Sequence, residues 1–267
     1  MTTNIKVAFI GCGNMGGALA LAASKGGFEL MLADYCTEKA EELAEKTGGT
    51  VASNAQCAEQ ADYIFIAVKP QVIAATLGDI APILKDRIKP FVLVSMAAGV
   101  DIASICNYAG GEYPVIRIMP NTPASVGEGV ILFCHNDVKQ ADVDMFQSIM
   151  RNAGMLDWLP EKQIDAASAL SGCGPAFVYQ FIEALADGAV DCGLPRDKAL
   201  AYAEQTVAGA AILARESGIH PGQLKDAVCS PGGSTIEGVR ALEAGGMRSA
   251  VMEAVIAAYN RTKQLGK

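Results

Sequence analysis

Two glycine-rich segments hold the residues whose types and spacing could do chemistry. Gly11-Cys12-Gly13-Asn14-Met15-Gly16 has the form GxGxxG, directly after the apolar run Lys6–Ile10 and opening a helical pattern over Met15–Lys25. In that setting the first glycine permits a tight turn and the second lets a pyrophosphate approach the backbone. The third allows close helix–strand packing. The helix N-terminus adds free N–H groups and positive potential, so the chemistry is the binding of a dinucleotide. The second segment, Ser230-Pro231-Gly232-Gly233-Ser234-Thr235, leads into a helix beginning at Ile236. Ser234 and Glu237 have the spacing of a capping box, with Ser234 as the N-cap. Free N–H groups of Gly232 and Gly233, with the hydroxyls of Ser230 and Thr235, then form a site for a small carboxylate. An ordinary helix–helix turn is the competing reading of these residues.

Other residues belong with the first loop. Asp34 closes the next apolar run about twenty residues on, where an acid hydrogen-bonds the adenosine ribose and repels a 2′-phosphate. That leans to NADH, although Asp34 could instead cap the following helix; Lys39 is the nearest cation, and Asn54 could reach the adenosine side. Lys69-Pro70 follows the run Tyr63–Val68, Ala97-Ala98-Gly99 the next run, and Met119-Pro120-Asn121-Thr122-Pro123 the one after. All three fall where the strands of an open α/β sheet end and ligands bind. Small residues around Ala98 let a cofactor lie flat, and Asn121 between two prolines could read a nicotinamide carboxamide.

The elements that must position these residues alternate in type. Lys6–Ile10, Glu29–Ala33, Tyr63–Val68, Phe91–Ser95 and Val115–Met119 read as strands, with Met15–Lys25 and Thr37–Thr47 as helices between them. Repeated strand–helix–strand order predicts an α/β, Rossmann-type, mostly parallel sheet over residues 1–160. From Glu161 the texture becomes Ala-rich and helical, with Ala176–Cys192, Arg196–Ser217 and Arg248–Gln264 as helices, so residues 161–267 read as an all-helical second domain. Its apolar content exceeds what a thin helical layer hides, which predicts burial against another subunit.

Composition bounds the function. The chain has 267 residues, 51% of them hydrophobic, and a net charge of −8 without a Lys/Arg run, which argues against a nucleic-acid surface. Its eight cysteines, without a CxxC pair, and its two histidines do not resemble a metal site, and reduced thiols fit a cytoplasmic enzyme. Met1-Thr2-Thr3-Asn4 runs into a strand with no basic leader, and no apolar run approaches the roughly 18–20 residues that span a bilayer.

Several motifs recur together, in this order, in one family. They are the Gly11–Gly16 loop, Ala67-Val68-Lys69-Pro70, Arg117-Ile118-Met119-Pro120-Asn121-Thr122-Pro123, Leu170-Ser171-Gly172-Cys173-Gly174-Pro175-Ala176, His220-Pro221-Gly222-Gln223-Leu224-Lys225-Asp226 and Ser230–Ile236. The chain resembles pyrroline-5-carboxylate reductase over essentially its whole length. The resemblance implies a helical dimerisation domain interlocked with a partner's; in the family, five such dimers often form a decamer. It implies that Gly232, Gly233 and Thr235, with Ser230 and Ser234 nearby, hold the substrate carboxylate, and that Glu161 faces the substrate. The cofactor positions it carries over are Ile10, Gly11, Cys12, Gly13, Asn14, Met15, Asn54, Val68, Lys69 and Ala98. The family's usual cofactor is NADPH, whereas Asp34-Tyr35 stands here where NADPH-preferring relatives often carry Ser, Thr or Arg. Cys173 replaces the family's common Ser.

The implied reaction is hydride transfer to C5 of a cyclic imine, giving L-proline. An iminium is already electrophilic, so position and charge complementarity suffice. Thr235 is expected to hydrogen-bond the ring nitrogen as the catalytic residue, and His220, in a His-Pro-Gly turn, to be a structural cap. A β-hydroxyacid dehydrogenase would need a lysine on the helix after Gly174, and none lies between Gly174 and Pro195. A non-catalytic dinucleotide sensor would have no need of Ser230–Thr235.

Overall fold

A computed structural model describes residues 5–265. The expectation placed on Met1–Asn4, the absence of a leader, lies outside the described residues. The order of the first half is β1 (Lys6–Ile10), α1 (Asn14–Ser24), β2 (Glu29–Ala33), α2 (Thr37–Thr47), β3 (Thr50–Val51), α3 (Asn54–Gln60), β4 (Tyr63–Ile66), α4 (Ile73–Asp86), β5 (Val92–Ser95), α5 (Ile102–Ala109) and β6 (Val115–Met119). A 3-10 turn (Thr122–Val126), β7 (Gly129–Asn136), α6 (Gln140–Met150), β8 (Gly154–Trp158) and α7 (Glu161–Ser171) follow. Then come α8 (Gly174–Asp191), α9 (Arg196–Ser217), α10 (Pro221–Val228), α11 (Ser234–Ala244) and α12 (Met247–Leu265).

The eight strands form one sheet in the order β3-β2-β1-β4-β5-β6-β7-β8. All neighbours are parallel except β6 and β7, which the short 3-10 connection joins as an antiparallel pair. Central strands of a sheet covered on both faces must be apolar throughout. Accordingly β4 (YIFI) and β5 (VLVS) are buried at every residue, as is β6 (VIRIM) in spite of its arginine. One core lies on the face carrying Phe9, Phe65 and Phe146; the other lies on the face carrying Ile10, Ile64 and Leu93. The order 3-2-1-4-5-6 reverses between β1 and β4, which creates a crevice at their carboxyl ends.

Residues 5–173 with 258–265 form one compact unit and Gly174–Ala257 a second. Helices begin at Glu161, where the second domain was expected to start, but α7 packs with the sheet because Ile164 is fully buried in the Ile10 core. In the second unit α8 and α9 pack together around a small core of Ala186, Ala199 and Ala203. The helices α10 and α11 bury no residue within the chain. Large apolar side chains such as Tyr179, Tyr202, Leu213, Val228 and Leu242 are left exposed. No helix among the described residues is long and apolar enough to cross a membrane.

Candidate active site

The strand β1 delivers the chain to Gly11 at φ +107°, where its N–H donates to Ala33 O (2.7 Å). A Cβ on Gly11 would lie 2.5 Å from Ala67 O, and one on Gly16 2.1 Å from Gly11 O, so both positions require glycine for packing. Gly13 is different: a Cβ there would meet nothing within 4 Å. Its bare backbone faces open space, as a cradle for phosphate must. Gly13 is also the N-cap of α1, with no side-chain cap and no acid in the first turn. The N–H groups that begin α1 thus remain available to an anion.

A cavity of about 1240 Å³ opens on this loop, at the β1–β4 reversal. It is ample for a dinucleotide. Of the residues expected to bind cofactor, Ile10, Gly11, Gly13, Asp34, Asn54, Val68 and Lys69 line it together. Cys12 and Asn14 line an adjoining cleft of about 340 Å³. Met15, Pro70, Ala98 and Asn121 line neither. Tyr35, already noted after Asp34, also lines the large cavity, as do Thr37 and Thr76, which the sequence did not mark as site residues because a lone threonine carries no motif.

Asp34 is not the cap of α2, whose N-cap is Cys36. Its Oδ2 accepts the Cys12 N–H (2.6 Å) and its Oδ1 the Cys36 N–H (2.9 Å), which ties the end of β2 to the glycine loop. Burial, and then the Asp34 carboxylate, raise the Cys12 thiol to about 11. At the β3–α3 end of the cavity Ser53 and Gln56 form a capping box on α3 (Gln56 N to Ser53 Oγ 3.2 Å, Ser53 N to Gln56 Oε1 2.9 Å), which presents Asn54 at the cavity wall.

Asn121 is buried, and its amide is engaged at both ends. Oδ1 accepts the Val130 N–H (2.8 Å) and Nδ2 donates to Ser171 O (2.9 Å), so the side chain joins β7 to the last turn of α7. Glu161 is likewise held: its Oε1 accepts from Ile102 N–H (2.9 Å) and Arg117 Nη1 (3.2 Å).

In the second unit, Gly232 takes φ +66° and Gly233 N–H donates to Ser230 O (3.0 Å). A Cβ on Gly233 would come within 2.3 Å of Ser230 Oγ, so glycine lets that hydroxyl fold over the loop. The capping-box expectation is corrected here. Gly233, not Ser234, is the N-cap of α11, no side chain caps it, and Glu237 bonds Arg240 instead (3.0 Å). The helix starts two residues earlier than Ile236 because Gly233 already has the extended backbone an N-cap needs. Its first-turn N–H groups, beside the exposed Thr235 and Ser234, are therefore free of a side-chain cap. The other cap is as expected: His220 Nδ1 accepts the Gly222 N–H (3.1 Å) at the start of α10.

A Rossmann-order sheet, a glycine cradle at its reversal and a helical second unit define the class of dinucleotide-dependent oxidoreductases with an appended helical domain. Comparison with known proteins narrows it. The pyrroline-5-carboxylate reductase dimerisation model matches residues 161–265, and the model described as NADP oxidoreductase coenzyme F420-dependent matches residues 6–99. Pyrroline-5-carboxylate reductase of Pisum sativum is 40% identical over 99% of this chain and 97% of its own; that of Escherichia coli (strain K12) is 40% identical over 98% of each. Among solved structures, the Plasmodium falciparum pyrroline carboxylate reductase with NADP bound has a TM-score of 0.88 at 34% identity, covering 99% of both chains. A pyrroline-5-carboxylate reductase from Coxiella burnetii has 0.90 at 34%, covering 99% of this chain and all of the other. The chain belongs to the pyrroline-5-carboxylate reductase family.

Proposed function

We propose that this protein is a pyrroline-5-carboxylate reductase, which transfers a hydride from a nicotinamide dinucleotide to C5 of 1-pyrroline-5-carboxylate and forms L-proline, the last step of proline biosynthesis. The observation that carries the substrate is the uncapped N-terminus of α11 behind the Gly232–Gly233 turn, where a small carboxylate finds N–H donors and positive potential. Gly232, Gly233, Ser230 and Ser234 hold that carboxylate, and the Thr235 hydroxyl bonds the ring nitrogen. The bare Gly13 backbone and the cavity beside it fit the dinucleotide, with Ile10, Gly11, Cys12, Asn14 and Met15 forming its cradle and Asn54, Val68 and Lys69 its walls. When bound, the nicotinamide would supply the hydride; the substrate enters protonated on nitrogen, as the iminium, so that the C=N π pair moving onto the nitrogen leaves the neutral secondary amine of proline and no further proton is needed. The chain's share is to orient the imine and complement its charges. Residues 161–267 act as the dimerisation and substrate segment.

Two finer points belong to the same reading. Asp34 favours NADH, because a carboxylate lining the adenosine end repels a 2′-phosphate. The exposed apolar faces of the helical unit are covered in a homodimer, and five dimers form a decamer in the cytoplasm. Oxidation of NADH and NADPH with pyrroline-5-carboxylate, together with light scattering, tests all of this. Absence of turnover with both dinucleotides would favour a dinucleotide sensor.

A further inference from the structure

Glu161, Arg117 and Ile102 come from three elements far apart in sequence and meet at one carboxylate oxygen. We propose that Glu161 is a positioning residue, clamped by Arg117, that sets the β5–α5 loop at the nicotinamide end of the dinucleotide site. The proposal rests on the functional reading above: with the adenosine at Asp34 after β2, the nicotinamide end extends across β1 and β4 toward β5, whose following loop carries Ala98.

The loop spans residues 96–101 and must turn sharply between β5 and α5. Gly99 takes φ +75° and Val100 N–H donates to Ala97 O (3.3 Å). Ala97 is buried and Ala98 exposed, so the loop's outward surface depends on how it is anchored. Its far anchor is the start of α5. Asp101 caps that helix by accepting the Ser104 N–H (2.8 Å). The Ile102 N–H, which no intrahelical carbonyl can reach, goes to Glu161 Oε1, 59 residues away (2.9 Å). A helix end is thus capped by a side chain of α7.

That carboxylate is itself held from below. Arg117 sits in the sheet, opposite Ser95 on β5 and Cys134 on β7, with only 4% of its side chain exposed. Its Nη1 pairs with Glu161 (3.2 Å) and its Nη2 with Asp165 (2.9 Å), one turn further along α7. Its Nε finds no partner among the described residues. Burying a guanidinium is costly, and apolar packing would hold β6 at least as well. What the ion pairs add is a fixed position for the Glu161 carboxylate, and with it for Ile102. The Ser104 donors, and more weakly Arg117, also hold Asp101 below the usual carboxylate range, which places Arg117's field at the same loop.

The test compares dinucleotides that do and do not reach this loop. Glu161→Asp keeps a charge beside Arg117 but withdraws the carboxylate by one methylene. Glu161→Gln keeps an acceptor for Ile102 and loses the ion pair. In wild type and both variants, Kd is measured for NADH and for ADP-ribose, which lacks the nicotinamide, and steady-state KM is measured for each substrate. The expected result for Glu161→Asp is a Kd for NADH weakened tenfold or more, a Kd for ADP-ribose within twofold, an imine KM within twofold and a lowered kcat. Glu161→Gln, which keeps an acceptor of full length for Ile102 but loses the Arg117 ion pair, should fall between wild type and Glu161→Asp in NADH affinity. Two results would overturn the proposal: a raised imine KM with NADH affinity unchanged, or a lower Tm with every binding constant unchanged. Should the wild-type enzyme bind NADH yet not reduce the imine, the functional reading fails, while the two Kd values still decide the role of Glu161.

Discussion

Asp34 at the end of β2 accepts the backbone N–H of Cys12 in the glycine loop at 2.6 Å, and so binds the two strands' exits to each other. Its other oxygen takes the Cys36 N–H. Two amide donors leave a carboxylate with lone pairs to spare, so one residue can brace the loop and still present negative charge to the large cavity that it lines. The two roles separate by mutation.

Asp34→Ser should raise the ratio of kcat/KM for NADPH over NADH by tenfold or more, since it removes the charge that repels a 2′-phosphate while Lys39 remains in the cavity. Initial rates with the two dinucleotides check this. An unchanged ratio would mean that Asp34 acts only as a brace.

Asn121→Ala should lower stability by about 2–4 kcal/mol, because two backbone groups, Val130 N–H and Ser171 C=O, lose their partner at a buried side chain. Asn121→Asp keeps the acceptor for Val130 and should be intermediate. Urea unfolding of the three proteins gives the comparison. If Asn121 instead reads the carboxamide, Asn121→Ala changes NADH affinity with little change in the urea midpoint.

Thr235→Ala should reduce kcat/KM for the imine by about 10²-fold, the usual effect of removing one well-placed hydrogen-bonding group, and leave Tm nearly unchanged. Thr235 is exposed in the chain and caps no helix, so its hydroxyl has no structural work to lose. Retention of full kcat/KM would sink its catalytic assignment.

Burial raises three thiols: Cys12 to about 11, Cys57 to about 12 and Cys134 to about 12, the last also under the Glu161 carboxylate. A thiol whose pKa is raised on folding contributes stability that is complete below its unfolded value. That stability is lost as pH climbs from the unfolded value, about 8.5, toward the folded one. Tm should therefore fall between pH 9 and 11 (roughly the interval those values bracket), less steeply in Cys57→Ala. At pH 8 the three thiols should resist a thiol reagent that labels the exposed Cys192. Rapid labelling of Cys57 in the native protein would contradict this burial.

Much of the first half was legible in the sequence because its elements carry their own periodicity. β1, β2, α2 and β6 begin and end where the residue pattern predicts, and in the second half so does α9. The strands β7 and β8 were not anticipated. β8 is an edge strand whose Met155 and Trp158 are exposed, so it lacks a continuous apolar run. The N-terminus of α11 was misplaced because Ser234 fits the capping-box pattern as well as Gly233 fits the geometry.

The sequence by itself determined what is local. Glycines directly after an apolar strand and opening a helix allow the positive-φ turn and the close backbone approach that a phosphate needs, so Gly11–Gly16 pointed to a dinucleotide loop before any packing was known, and the motifs to Thr235 declared the family. Only the tertiary structure decided what Arg117, Asn121 and Glu161 do. Their partners lie 44 to 59 residues away in sequence, except the bond from Asn121 to Val130. An arginine inside an apolar strand and an asparagine between prolines carry no record of the groups that will meet them. Burial and hydrogen bonding at long sequence separation assign such roles, and these arise only when the sheet brings the distant segments together.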